Sequence, residues 1–247
     1  QAPILVTQGH EAILAVGAER NPVHSNGIAT AQVKGTSMSG VPMAWLLRGN
    51  GISMRPRDGT GSYWLDSPSF DVAWGARPTD RLGLFFVHNQ GRDRSGYPGG
   101  LDFGNGYRLD GVTRQQNSST DLGGAWRWSP DAQTWAKVNH ARYTSARVLD
   151  HDVWGPLYAG SEDGANSWML RHVVQFSAQR WSFGWEHGRD NIRLGSRDTD
   201  ISSDIQTRSS YDIPWVAGEW RRDAWTWHAE ASVPRLHTNY VNLYQDA

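Results

Sequence analysis

Cysteine is absent from the 247 residues, which removes disulfides, thiolate zinc sites and thiol chemistry. No run of about 18 apolar residues exists, so no segment qualifies as a transmembrane helix. A basic excess is missing too. The 24 Lys and Arg stand against 25 Asp and Glu, and a formal net charge of −1 gives nucleic acid no electrostatic footprint. Helical periodicity is scarce, and the nine His show no HExxH spacing. The sequence has no initiator Met and no signal peptide, so it is expected to be a processed protein or a fragment of a longer one.

What is present is period-2 alternation, pervasive after residue 68. Trp168, Leu170, His172, Val174 and Phe176 take one side of a strand, and Met169, Arg171, Val173, Gln175 and Ser177 take the other. The chain reverses at Ser177–Arg180 and returns with Trp181, Phe183, Trp185 and His187 opposite Ser182, Gly184, Glu186 and Gly188. The same unit recurs around turns at 77–80, 129–132 and 221–224. Around Trp215 to Trp220 the phase is ambiguous. Each arm is roughly nine to eleven residues, the length a tilted strand needs to cross a bilayer. Polar connections at 89–119, 144–166 and 188–211 are expected to be long loops at the end opposite the turns. Residues 1–67 suggest four further strands, 12–18, 28–34, 43–48 and 52–57, with Asn50-Gly51 as a tight turn between the last two. No linker or second domain is visible, so 1–247 reads as one domain, clearest over 68–243.

Alternation alone also suits a soluble sandwich. The tryptophans separate the two. Nine of the 14 lie near the short turns: Trp74, Trp126, Trp128, Trp135, Trp181, Trp185, Trp220, Trp225 and Trp227. Indole favours the headgroup level, where its ring is buried and its N–H stays wet. A mean hydropathy of −0.61 fits strands that alternate lipid-facing with water-facing side chains. The pattern therefore predicts an all-β fold, an antiparallel transmembrane β-barrel with about twelve strands in this chain and an incomplete circumference. Trp74, Trp126, Trp128, Trp181, Trp185, Trp225 and Trp227 are the candidate membrane-interface residues. Arg127, Arg171, Gln175, Glu186 and Glu230 are the candidate lumen-facing residues, either setting the preference of a pore or forming a salt-bridge ladder.

The layout resembles that of Gram-negative outer-membrane barrels. The stretch from Gly9 to Arg94, including AVGAERNPVHSNGIATAQVKG and VAWGARPTDRLGLFFVHNQGRDR, resembles the barrel portion of tetratricopeptide-repeat-linked outer-membrane proteins. That resemblance implies export or assembly of a surface polymer, with a periplasmic repeat domain as partner. A TonB-dependent uptake receptor is the alternative; its plug domain and its terminal aromatic are not visible within these 247 residues, as truncation would leave them.

Local motifs add little. Gly35-Thr36-Ser37-Met38-Ser39-Gly40 lacks the fifth-position Gly of a nucleophile elbow. Asp198, Asp200 and Asp204 fail the EF-hand spacing. Asp150-His151-Asp152 is a single polar triplet. No catalytic constellation, metal site or cofactor site is expected, and the chain does not read as an enzyme. Its partners are the lipid bilayer and envelope components of the outer membrane. Transport through a pore is the leading function. A non-transport barrel whose loops bind a partner, or a Trp-rich soluble sandwich binding sugar, are the alternatives.

Overall fold

The computed structural model describes residues 9–20, 24–38, 40–57, 63–96, 107–108, 112–151, 157–197, 201–222 and 224–246. The strands are β1 (Gly9–Arg20), β2 (His24–Ser37), β3 (Met43–Pro56), β4 (Trp64–Ala76), β5 (Leu82–Gly96), β6 (Tyr107–Arg108), β7 (Thr113–Ser129), β8 (Ala132–His151), β9 (Leu157–Phe176), β10 (Gln179–Arg197), β11 (Ile201–Arg222), β12 (Trp225–Ser232) and β13 (Arg235–Asp246). Apart from the short β6, which pairs with the far end of β8, and β13, which pairs with β11, each strand pairs antiparallel with the next strand of the sheet in sequence. No helix occurs among the described residues.

β12 and β13 both pair with β11, in one continuous register on either side of Val233-Pro234. Proline has no N–H to give the ladder. The Val233 amide still donates to the Pro214 carbonyl at 3.1 Å, so the two segments are one strand with a local break. Counted together they leave twelve strands, the expected number. β1 and β12–β13 have a single neighbour each, so the sheet is not closed among the described residues.

Turns at 77–81, 130–131 and 177–178 fall where the alternation reverses, and the β2–β3 and β11–β12 connections lie at the same end of the sheet. Backbone hydrogen bonds tie each turn region to the next. The Arg77 amide donates to the Pro42 carbonyl at 2.8 Å, Arg127 to Arg81 at 2.8 Å, Gln175 to Asp131 at 2.7 Å and Arg221 to Ala178 at 2.9 Å. The result is a continuous rim.

Two expectations are corrected. Asn50-Gly51 is no turn; it sits inside β3, with Asn50 opposite Thr30 and Ser69. The pairing of β3 with a strand on each side overrides the local turn propensity of the dipeptide. The polar stretches 89–119, 144–166 and 188–211 are mostly strand. β8, β9, β10 and β11 run 20, 20, 19 and 22 residues, well beyond the arms their apolar pattern outlines. Polarity marks where the apolar environment ends, whereas the hydrogen-bond ladder continues past it.

Candidate functional site

Register assigns every side chain to one of two faces, because directly paired residues point the same way. One cross-strand row joins Trp45, Trp74, Phe86, Leu122, Val138 and Trp168. Residues at even spacing from this row form an apolar face that is largely uncovered: Leu122 is 54% exposed and Phe183 49%. The opposite face is polar and holds the most buried side chains of β9–β11, Val173 at 5% and Ser182 at 4%.

All seven candidate interface tryptophans fall on the apolar face. Trp126 and Trp128 meet edge-to-face at 6.1 Å, and Trp181 meets Trp220 at 5.0 Å, both beside the turn rim. Trp225 and Trp227 follow on β12, 70% and 66% exposed. Trp74 abuts Trp45 in the register, and Trp185 stacks at a tilt against Trp168 at 5.5 Å. Trp135 departs from the group, since it lies opposite Arg171 on the polar face. The apolar band is short. On β9 it runs from Phe176 to Trp168, about 20 Å in height for a strand tilted by roughly 40°. Its polar interruptions are paired. Thr134 Oγ1 accepts from Trp128 Nε1 at 2.7 Å and lies 2.8 Å from His172 Nδ1. At the far border, His88 bonds Thr120 at 2.8 Å, His140 bonds Asn166 at 2.7 Å, and His187 and Trp185 both bond Asp212, at 2.9 and 3.2 Å.

Arg127, Arg171, Gln175, Glu186 and Glu230 share the polar face, opposite Gln133, Gly184, Arg180, Met169 and Ala217. They do not form one cluster. Arg171 and Glu186 join a patch on β9–β11, whereas Arg127 on β7 and Glu230 on β12 stand apart. The Arg171 guanidinium sits 5.4 Å from the Trp215 ring and donates to Ser182 Oγ at 3.1 Å. Trp215 lies flat across Gly184, within 2.1 Å of where any Cβ there would be. Tyr211 covers Gly188 in the same way and donates to Glu186 Oε1 at 3.2 Å. Glycine leaves the strand surface bare so that a ring can pack on it. This also resolves the phase around 215–220, with Trp215 on the polar face and Trp220 on the apolar one. The signal lay in Gly184 opposite Trp215, visible only once the register is known.

The ion pairs of the polar face link other residues: Arg48 with Asp71 at 2.7 Å, Lys137 with Asp121 at 3.2 Å and Lys34 with Glu11 at 2.8 Å. Above them a cleft of about 320 Å³ opens, lined by Asp71, Asn89, Gly91, Asn117, Tyr143 and Asp163. Its amides, hydroxyls and carboxylates can hydrogen-bond a polar cargo. Of the local motifs, Gly35, Thr36 and Ser37 end β2, and Ser39 lies outside the described residues. Asp204 pairs with Arg193. Asp152, Asp198 and Asp200, and the side chains of Asp150 and His151, lie outside the described residues.

No protein-family profile and no curated protein matches the chain. Among solved structures it is similar to the ferric yersiniabactin uptake receptor FyuA of Yersinia pestis, with a TM-score of 0.67 and 11% identity. That superposition covers 100% of this chain and 44% of the receptor, so the chain spans less than half the receptor's length. A mutant of the TodX monoaromatic hydrocarbon channel matches at a TM-score of 0.35 and 7% identity, over 96% of this chain and 91% of that one. The fold is thus that of an antiparallel β-barrel wall, as in the receptor.

Proposed function

We propose that the chain forms part of the wall of a transport barrel in the outer membrane of a Gram-negative bacterium, with no enzymatic role. The observation that carries this reading is the segregation of faces. A band of exposed aromatic and aliphatic side chains occupies one face, while paired charges and a hydrogen-bonding cleft occupy the other. Charge is expensive in hydrocarbon and tolerated in a wet lumen. The apolar face therefore meets lipid, and the polar face, with Arg127, Arg171, Gln175, Glu186 and Glu230, lines the passage. A hydroxyl-rich surface polymer suits the cleft around Asn89, Asn117 and Tyr143. In this reading the rim of short turns faces the periplasm, where a repeat domain or another envelope partner docks.

Conductance of the full-length protein in planar bilayers tests it. A steady conductance whose ion preference moves toward anions in Gln175→Arg supports an open transport pore. Recovery of a folded, monodisperse protein from plain buffer without lipid or detergent refutes the membrane assignment and with it the transport function.

A plugged uptake receptor is the second reading. Eleven strands of the described sheet cross the band, half the number in the 22-stranded transporters whose lumen is plugged. A barrel that inserts yet carries no steady conductance favours it.

A further inference from the structure

Above the apolar band, the two faces of the same strands carry opposite charge. On the apolar face of β5–β11, beyond Phe86, Leu122, Val138, Trp168, Trp185 and Pro214, the described residues include Arg92, Arg94, Arg114, Arg142, Arg189 and Arg208. Arg193 joins them but is held by Asp204, and Arg142 is paired with Glu162 at 2.6 Å. The carboxylates of that surface are Glu162, Asp204 and Asp212. On the polar face of the same segments, Arg147 is the one arginine among the described residues, against Asp93, Asp121, Asp163, Glu186 and Asp190.

Water alone does not sort charge this way, because both faces of a strand that has left the hydrocarbon can be wet. Several details point to a missing anion. Arg94 and Arg114 are direct cross-strand partners, and like charges so placed repel. Asp66, directly opposite Arg94 in the register, is already engaged in both carboxylate oxygens by Arg55 at 2.7 Å. Arg189 and Arg208 have no ion-pair partner among the described residues. Between Arg142 and Asn191 the wall dips at Gly164, where a Cβ would meet nothing within 4 Å. The arginines begin one to two outward positions above the band, the depth of lipid headgroups.

We infer that this collar binds the phosphates of the surrounding outer-leaflet lipid, with Arg189 and Arg208, and beside them the Glu162-paired Arg142, around the Gly164 dip as its lowest and most membrane-proximal part. The inference rests on the lipid-facing assignment of the apolar face. Guanidinium matches phosphate through paired N–H donors, and basic residues at a charged bilayer surface add binding one by one. Continuity with the apolar band selects a lipid phosphate over a soluble polyanion: a lipid whose chains lie along Leu122, Val138 and Trp168 presents its headgroup at His140, Arg142 and Arg189.

The test uses the full-length protein folded into phosphatidylcholine vesicles, with and without diphosphorylated lipid A, then extracted in mild detergent and assayed for retained lipid A. Wild type should retain it. The triple variant Arg142→Gln/Arg189→Gln/Arg208→Gln should retain at least roughly tenfold less, and Arg147→Gln on the other face should match wild type. Inorganic phosphate at equal phosphorus should displace little of it. Equal retention by the triple variant, or equal retention of dephosphorylated lipid A, overturns the inference. Should the triple variant not fold, the single variants Arg189→Gln and Arg208→Gln carry the test. A protein that inserts and is indifferent to lipid A sinks this inference alone; one that never inserts sinks the barrel reading as well.

Discussion

The hairpin β9–β10 and the hairpin β2–β3 have the same antiparallel geometry, but they are unequally legible. In β9–β10 the two faces differ in size and charge at nearly every position: Trp168, Leu170, Val174, Phe183 and Trp185 against Arg171, Gln175, Ser182, Gly184 and Glu186. In β2–β3 the contrast is weaker: Ile28, Leu46 and Ile52 share the polar face with Gln32, Lys34, Arg48 and Asn50, against Ala29, Ala31, Val33 and Leu47 on the other. Gly27, Gly35, Gly49 and Gly51 further blur the contrast. The lesson is that alternation reports a difference between two environments, not the strand itself. Where apolar residues and glycines intrude on that difference, a strand's extent is blurred and a local signal such as Asn50-Gly51 is misread.

The largest effect should come from charging the band. Phe183, midway along the apolar stretch of β10 and opposite His172, should cost about 2–4 kcal/mol as Phe183→Arg, measured by urea titration of folding into vesicles. Gln175→Arg, on the polar face of the same hairpin, should stay within about 0.5 kcal/mol of wild type. Equal losses in the two variants would remove the distinction between the faces.

A smaller effect compares glycines of the two hairpins. Gly184→Val forces the Trp215 ring off the strand, and overpacking of this kind typically destabilises by about 1–3 kcal/mol. Gly51→Val meets nothing within 4 Å and should be neutral or slightly stabilising, because a β-branched residue suits a strand. A loss at Gly51 matching that at Gly184 would restore the turn at 50–51 and break the continuity of β3.

The smallest effect concerns the Arg48–Asp71 pair, the polar-face ion pair between β3 and β4, whose arginine side chain is 44% exposed. Arg48→Gln should cost only about 0.2–1 kcal/mol, and less at high salt. A salt-independent loss well above that range would mean the pair is screened from water in the complete barrel.

The sequence by itself determined the class and the sidedness. Period-2 alternation, reversed at 77–80, 129–132, 177–180 and 221–224, needs no tertiary information, because consecutive side chains on a strand must point to opposite faces. Tryptophans gathered at those reversals placed Trp74, Trp126, Trp128, Trp181, Trp185, Trp225 and Trp227 on one surface in advance of any coordinates. Only the tertiary structure decided how far the strands extend, that β3 passes straight through Asn50-Gly51, and that Trp215 and Trp220 part to opposite faces. It alone joined Arg171, Trp215 and Gly184, and set Arg94 against Arg114. Each of these depends on register, and register is a relation between strands tens of residues apart. A polar side chain beyond the band reads as loop in one dimension; the unbroken ladder of backbone hydrogen bonds to its neighbours is what makes it strand.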